Sequence, residues 1–432
     1  MRSFTEVNTN CRLEPVHAGG NRAVRVQYLR VVGSSSARIL IVAGERSGDL
    51  YGAELAHALR ARLGEVEIFG CGGDAMRRAG VQTIADLREF AMVGITEVVS
   101  GLPRARRAFH MILAETRRRR PELAVLIDAP SLNLRLAKKL KPRGIRVAYY
   151  VSPQIWAWKK WRLRHLRSRV DKMLCLFDFE QEIYRRAGVP VEYVGHPLID
   201  RPEIAGPGLA REEFFATAGL DPAVPMVALL PGSRKIELKY ILPGLIEGAR
   251  ELRRRRSGRP IQFLLPVAAT LDRIEVESSM RAQGAVPEFI RTVSGATHEA
   301  LRHADAAVVA SGTATLETAL LGCPMVVVYR VAPSTAFFAR FMLDVPFYSM
   351  VNLLAGKPVV PELIQDDFTA ERVASETERL LDDSKARQGV LEGYRAVRQR
   401  LGPGGAAQRA AHAVVEMLRC HVNCESHSWT DR

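Results

Sequence analysis

Short apolar runs alternate with helical periodicity along most of the chain. Runs rich in Val, Ile, Leu and Ala begin at Ile39, Leu123, Met226, Ile261, Ala306 and Met325. Helical patterns follow the first two runs, over residues 50–63 and 132–140. Strands that alternate with helices form parallel sheets covered on both faces. The pattern therefore predicts an α/β fold.

One stretch interrupts this alternation and divides the chain in two. Pro and Gly punctuate residues 200–225, where only 211–220 keeps a helical pattern. Each half opens with a buried-looking strand that runs into a loop of Gly and Ser, so we predict two facing Rossmann-like domains. A C-terminal helix over 406–418 is expected after a Gly/Pro break. The predicted boundaries are a loose N-terminal extension over 1–36, an N-terminal domain over 37–200, a linker region over 201–225, a C-terminal domain with closing helices over 226–419, and a polar tail over 420–432.

Composition and charge narrow the classes of function. The 432 residues are 47% hydrophobic and 25% charged, which excludes a wholly disordered chain. Lys and Arg number 62 against 47 Asp and Glu, a net charge of +15, so we expect an anionic partner: nucleic acid, an anionic membrane surface or a phosphorylated substrate. Six scattered Cys in mostly apolar settings favour reduced thiols and the cytoplasm. No window offers the ~20 apolar residues of a membrane span.

Two loops at predicted strand ends in the first half carry candidate chemistry. Glu45, Ser47 and Asp49 lie in a Gly-containing loop after the first strand, where Ser47 and Asp49 can cap a helix. A plain N-cap loop explains that pattern equally well. Asp128 directly follows an apolar strand, where partial burial would raise its pKa and suit it to act as a general base. The alternative is a turn-forming Asp before Pro130.

Two loops in the second half are suited to bind a diphosphate. Small residues admit a phosphate and a guanidinium bonds it bidentately in the loop of Gly232, Ser233 and Arg234. A second small-residue loop starts a helix, whose N-terminal N–H groups attract anions. Its candidate donor-site residues are Ser311, Gly312, Thr313 and Glu317. Glu317 would reach ribose hydroxyls, or alternatively only complement the helix dipole.

These four loops occur in order with the segments 90–98, 150–158, 194–197 and 352–356. Together they closely resemble the lipid-A-disaccharide synthase family over about residues 38–417. The resemblance implies the GT-B architecture of two Rossmann-like domains. It also implies an inverting transfer that joins UDP-2,3-diacylglucosamine to 2,3-diacylglucosamine 1-phosphate, giving a β-1,6-linked tetraacyl disaccharide 1-phosphate and UDP.

The resemblance also implies roles for single residues. Asp128 matches the family's essential aspartate, Arg234 the arginine of its phosphate loop, and Asn352 the asparagine of its N-L-L-A-G segment. The remaining donor-side loops match the family's uridine diphosphate site. On the acceptor side the candidates are Glu45, Ser47, Asp49, Met92, Val93 and His196. Ser131 stands where the family often has an acidic residue, which leaves Asp128 without a carboxylate partner nearby in sequence.

The partners expected from the resemblance are the two acylated sugar substrates and the anionic inner leaflet, with no nucleic acid, no cofactor and no metal. Arg104, Arg106 and Arg107 follow an apolar stretch over 92–102, a combination that suits peripheral attachment to the cytoplasmic face of the inner membrane. Buried core with solvated arginines is the alternative. A homo-oligomer is compatible with this picture. Cys420, His421, Cys424 and His427 lack the second, distant ligand pair of a zinc finger.

Two other functions stay open at this point. One is another UDP-sugar enzyme of the same fold, either an epimerase or a different transferase. The remoter one is an RNA-binding protein, suggested by the net charge and by Trp156, Trp158 and Trp161 among basic residues. An epimerase needs no acceptor, and RNA binding would depend steeply on salt.

Overall fold

The computed structural model of the protein describes residues 37–89, 95–153, 163–282, 289–333 and 346–425. Two parallel sheets organise these residues, one in each half of the chain. The first has the strand order β3-β2-β1-β4-β5-β6-β7. Its strands are β1 (Ala37–Ala43), β2 (Val66–Gly72), β3 (Gln82–Asp86), β4 (Leu123–Ile127), β5 (Arg146–Tyr150), β6 (Lys172–Cys175) and β7 (Val191–Tyr193).

The second sheet repeats the same winding. Its order is β10-β9-β8-β11-β12-β13. The strands are β8 (Met226–Leu230), β9 (Gln262–Val267), β10 (Ile290–Ser294), β11 (Ala306–Ala310), β12 (Met325–Tyr329) and β13 (Glu362–Ile364). In both sheets the chain winds outward from a central strand, returns, and winds the other way, which is the Rossmann order.

Helices cover the sheets because the central strands are apolar on both faces. All five residues of β4 and of β8 are buried, as a strand between two helix layers requires. The helices of the first half are α1 (Arg46–Leu63), α2 (Asp74–Arg78), α3 (Ile95–Arg119), α4 (Pro130–Leu140), α5 (Leu163–Arg167) and α6 (Glu180–Arg186). Those after β7 are α7 (Pro202–Ala205), α8 (Arg211–Ala218), α9 (Lys235–Arg255), α10 (Arg273–Arg281), α11 (Thr297–His303), α12 (Thr313–Leu320), α13 (Met350–Ala355), α14 (Ala370–Asp382), α15 (Ser384–Arg400) and α16 (Ala406–Glu425).

The chain crosses from one sheet to the other twice, and hydrogen bonds join the two connecting segments. After β7, the N–H of His196 donates to the Leu401 carbonyl at 3.0 Å. The Asp200 carboxylate accepts the N–H groups of Gly405 and Ala406 at 2.8 and 3.1 Å, which caps α16. Helix α16 then packs against α1 of the first half. The last helix therefore lies on the first sheet, although the sequence attached it to the second domain; the predicted boundaries themselves stay predictions.

The fold class predicted from the alternating pattern is confirmed. The predicted strand over 261–265 is observed over Gln262–Val267, and the C-terminal helix extends to Glu425. Among the described residues, no helix is both long and apolar enough to cross a bilayer. Residues 1–36, Met92, Val93, the three tryptophans and His427 lie outside the described residues.

Candidate active site

The four loops singled out in the sequence follow the strands β1, β4, β8 and β11. These strands are neighbours in pairs, β1 beside β4 and β8 beside β11, at the points where the winding reverses. In such sheets the loops diverge at this reversal and leave a crevice at the carboxyl ends of the strands, where ligands bind. Each sheet therefore presents two of the predicted loops at its own binding crevice.

Close packing joins the two loops of the first sheet. Ala43, the last residue of β1, pairs with Ile127, the last residue of β4, so the following residues leave the sheet together. A Cβ placed on Gly44 would lie 2.6 Å from the Cβ of Ala129. Only glycine fits this position, and the loops bearing Glu45 and Asp128 are thereby held side by side.

Asp128 lies in a strained backbone segment. Its φ is 48°, Ala129 has a φ of 42°, and Val151 at the end of the neighbouring β5 has a φ of 65°. Non-glycine residues in this region cost of order 1–3 kcal/mol each and persist only where other contacts fix them. Here the Asp128 carbonyl accepts the Asn133 amide at 2.8 Å and the Tyr149 hydroxyl at 2.6 Å. These bonds fix the turn that carries the Asp128 carboxyl group.

The pKa of Asp128 is raised from 3.8 to about 6. Burial is the largest cause and the negative charge of Glu45 adds to it, while the N–H of Ala129 acts in the opposite direction. A carboxylate with such a pKa is ionised at neutral pH, and it is a stronger base than an ordinary aspartate. The carboxylate neighbour that Ser131 does not provide is thus supplied by Glu45, from another strand end.

The loop after β8 is closed on an internal carboxylate. Glu237, in the first turn of α9, accepts the N–H groups of Ser233 and Arg234 at 2.7 and 3.2 Å. Gly232 has a φ of 113°, and a side chain there would collide with the same carboxylate. This is the loop in which the sequence predicts a diphosphate site, and the carboxylate of Glu237 accepts two of its N–H groups, as a bound anion would.

Arg234 connects the two sheets. Its guanidinium lies 3.7 Å from the carboxylate of Glu237 and 3.9 Å from that of Glu45. Arg234 and Glu45 are 61% and 50% exposed, so solvent screens the pair and its contribution to stability is small. The contact between Arg234 and Glu45 nevertheless shows that the carboxyl edges of the two sheets face each other.

The loop after β11 is open at its start. Gly312 and Thr313 are exposed, and within the described part of the chain, its two sequence neighbours aside, no atom lies within 4 Å of a Cβ placed on Gly312. Ser311 is tied down, since its hydroxyl donates to the Tyr348 carbonyl at 3.0 Å. One turn further, the Glu317 carboxylate is 3.6 Å from Arg201 and 3.5 Å from His298. This loop can therefore receive an anion at the N-terminus of α12, next to a carboxylate that is flanked by Arg201 and His298.

Asn352 is buried and uses its whole side chain inside the protein. Its amide donates to the Val360 carbonyl and to Glu362, both at 2.8 Å. Its carbonyl accepts the N–H groups of Val359 and Val360 at 2.7 and 2.9 Å. These bonds fix the segment beside Tyr348 and Ser311, which gives Asn352 a shaping role at the edge of the donor-side loops. Its direct contact with UDP stays a prediction.

Two acceptor-side candidates are largely accounted for by structure. The Asp49 carboxylate accepts three backbone N–H groups, from Gly73, Ala75 and Met76, at 2.6–3.1 Å, and so caps α2. His196 is 4% exposed, and its Nδ1 accepts the N–H of Leu198 at 3.1 Å. Burial lowers the pKa of His196 to about 3, so it is neutral and carries no charge to an anionic substrate.

The remaining acceptor-side candidates are less constrained. Ser47 is half-buried near the start of α1, and Met92 and Val93 lie outside the described residues. Their roles stay predictions. No group of three or more His, Cys, Asp or Glu side chains in the described part of the chain is arranged to hold a metal ion.

Comparison with known proteins decides the family. A family model described as lipid-A-disaccharide synthetase matches residues 39–414. The chain belongs to this family. Lipid-A-disaccharide synthase of Myxococcus xanthus is 45% identical over 381 residues, which are 88% of this chain and 97% of the relative. The enzyme of the same name from Koribacter versatilis is 45% identical and covers 88% of this chain and 99% of its own length.

Solved structures show the same architecture in distant proteins. A UDP-GlcNAc 2-epimerase from Neisseria meningitidis bound to UDP-GlcNAc aligns with a TM-score of 0.60 over 88% of this chain and 100% of its own, at 10% identity. The glycotransferase of kitacinnamycin aligns with a TM-score of 0.57 over 88% of this chain and 99% of its own, at 15% identity. At such identities these likenesses show the fold alone. The expected GT-B architecture is confirmed, and this family member is a glycosyltransferase.

Three residues of the site were not predicted from the sequence. Glu237 stands three positions after Arg234, the spacing of a capping box, and this signal could have revealed it. Tyr149 lies inside a strand, and nothing local marks its hydroxyl. Arg201 follows Asp200 in a stretch rich in Pro and Gly, and no pattern there points to Glu317, which is more than a hundred residues away.

Proposed function

We propose that this lipid-A-disaccharide synthase family member joins UDP-2,3-diacylglucosamine to 2,3-diacylglucosamine 1-phosphate. The products are a β-1,6-linked tetraacyl disaccharide 1-phosphate and UDP. One observation carries the proposal: Asp128, an aspartate of raised pKa, lies on one edge of the cleft with Glu45, which faces Arg234 of the phosphate loop on the other edge. The base and the leaving-group site thus stand on opposite walls.

The division of roles follows from the chemistry of each wall. Donor diphosphate would bind at Arg234 and at the loop of Ser311, Gly312 and Thr313, where a guanidinium and a helix N-terminus offset negative charge. Glu317 would bind the ribose hydroxyls. The acceptor would lie against the first sheet, beside Glu45 and Asp128.

The reaction is then an in-line displacement. Asp128 removes the proton from the acceptor's 6-hydroxyl as that oxygen attacks the anomeric carbon of the donor sugar. The bond from that carbon to the diphosphate breaks with inversion, and the electron pair leaves on UDP. Arg234 and the N–H groups at the start of α12 stabilise the charge that develops there.

The acylated substrates place the reaction at a lipid surface. With its excess of basic residues, the protein would attach peripherally to the anionic cytoplasmic face of the inner membrane. Attachment of this kind needs no membrane span, and it gives the cleft access to both lipids.

The test incubates the purified full-length protein in detergent micelles with both acylated sugars and EDTA. UDP release and disaccharide mass are read together, and we expect both products despite the chelator. Product from the donor alone would indicate an epimerase or hydrolase instead. UDP binding without disaccharide would refute the substrate assignment.

The matched variant is Asp128→Asn, which keeps the size of the side chain and removes its basicity. Loss of a general base costs about 10²–10⁴-fold in rate. We therefore expect turnover to fall by about that factor while the dissociation constant for UDP, measured by calorimetry, stays unchanged. Near-normal turnover, or loss of UDP binding, would contradict the role of Asp128.

A further inference from the structure

A nearly buried ion pair joins the passage between the sheets to the second domain. Arg201 lies between the two sheets in sequence, immediately before α7, and its Nη1 is 3.6 Å from Oε1 of Glu317 on α12. The two side chains are 13% and 16% exposed. At this burial, removing Arg201 leaves the Glu317 carboxylate with less compensation of its charge.

The surroundings of Arg201 fix its orientation. Its guanidinium lies over the ring of Tyr51 on α1, 5.5 Å from the ring centroid. The preceding residue, Asp200, caps α16, and its backbone is therefore held to the second passage between the sheets. Arg201 thus projects from a rigid part of the crossing, which restricts where its charge can lie.

Glu317 has one further basic neighbour. Nε2 of His298 on α11 is 3.5 Å from Oε2 of Glu317, so each carboxylate oxygen faces a different nitrogen base. The two nitrogens lie at ion-pair distance rather than in hydrogen bonds, but one beside each oxygen restricts how the carboxylate plane can turn. That is what bonding the two vicinal hydroxyls of a ribose requires, because both acceptor oxygens must point at the ligand together.

We propose that Arg201 is a positioning residue for the donor site, which orients the Glu317 carboxylate toward the ribose of the nucleotide. The proposal rests on the proposed function, since it takes Glu317 as the group that reads the ribose. Arg201 itself touches no reacting atom. Its effect is on how well the site distinguishes a ribonucleotide from one without the hydroxyls.

The experiment measures calorimetric dissociation constants of UDP and of 2′,3′-dideoxy-UDP for the full-length protein. The wild type is expected to bind UDP about tenfold or more tightly than the dideoxy analogue, since the lost hydrogen bonds involve a charged group. In Arg201→Gln this ratio should fall to near one, chiefly through weaker UDP binding. Arg201→Lys, which keeps the charge but not the planar fork, should lie between them.

The control is Arg211→Gln. Arg211 also lies in the stretch between the sheets, pairs with Asp305 at 3.4 Å and stacks over Phe215 at 4.3 Å, yet it is not paired with Glu317. Its substitution should leave the ratio unchanged. The double variant Arg201→Gln/Glu317→Gln should discriminate no less than Glu317→Gln alone, because both changes remove the same contact.

The outcomes separate this inference from the proposed function. A wild-type ratio retained in folded Arg201→Gln and Arg201→Lys would overturn the role of Arg201 and leave the glycosyltransferase assignment intact. A wild-type ratio near one would overturn the role of Glu317, and with it that of Arg201. Failure of the wild type to bind UDP at all would overturn both the inference and the proposed function.

Discussion

Glu45→Gln tests the electrostatic coupling between the two loops of the first sheet. The rise in the pKa of Asp128 from 3.8 to about 6 corresponds to about 3 kcal/mol against ionisation, with burial as the largest cause and Glu45 next. The two carboxylates follow adjacent strands, and we take a separation of about 8 Å for the calculation. In a medium between protein and water that spacing contributes about 1 kcal/mol, or about 0.7 of a pH unit.

The sign of the effect is fixed by the charge removed. Without Glu45 the ionised form of Asp128 is favoured, so the pKa of Asp128 falls. Activity that depends on the ionised base is lost as the pH falls through this pKa. The acidic limb of the kcat/KM profile should therefore move about 0.7 of a pH unit lower in Glu45→Gln, and the variant should keep more of its activity at pH 5.5 than the wild type does.

The assay follows UDP release between pH 4.5 and 8.5 in constant ionic strength. The control is Glu67→Gln, because Glu67 lies at the start of β2 in an ion pair with Arg119, away from the carboxyl edge. If Glu45→Gln turns over too slowly for a profile, an NMR titration of ¹³C-labelled aspartate, assigned with Asp128→Asn, gives the same pKa. An acidic limb that stays in place or moves to higher pH would refute the coupling.

Two further predictions concern the donor side. Glu237→Gln should bind UDP about five- to tenfold more tightly in calorimetry, because the N–H groups of Ser233 and Arg234 no longer face a carboxylate. The control is Glu275→Gln, which removes an equal charge that is paired with Lys235. Equal or weaker binding of UDP by folded Glu237→Gln would contradict the argument. Asn352→Ala leaves the N–H groups of Val359, which is partly buried, and Val360, which is buried, without their acceptor. It should therefore cost about 3 kcal/mol of stability and lower the Tm by about 6–12 °C in calorimetric scans. An unchanged Tm would show that these bonds contribute little.

The local pattern of apolar and polar residues was enough to predict the fold class and the positions of the loops. Apolar runs such as Leu123–Ile127 can only be buried on both faces, and their alternation with helices leaves few topologies other than wound parallel sheets. Loops at strand ends could also be located, because Gly, Ser and Asp stop each run. The contacts that each loop makes could not be predicted in the same way, since they depend on which strands become neighbours.

The site shows where that limit falls. Glu45 and Asp128 are more than eighty residues apart in the chain, and only the order β1 beside β4 brings them together. Asp49 looked like a ligand-binding carboxylate, but it accepts N–H groups from a loop that begins with Gly73, again across neighbouring elements. Asn352 had a family role, yet its partners at Val359 and Val360 could not be read from the segment alone.

Arg234 couples the donor side of the cleft, on the second sheet, to the acceptor side, on the first sheet. Arg234 has two carboxylate neighbours, one on its own loop and one on the opposite wall. A donor diphosphate bound by Arg234 would take the place of both. Glu45 would then face Asp128 without its countercharge, and its full effect on the pKa of Asp128 would be felt. The hydrogen bonds between the two segments that connect the sheets keep the two sides of the cleft in place. Binding of the donor would in this way make Asp128 a stronger base for deprotonating the acceptor.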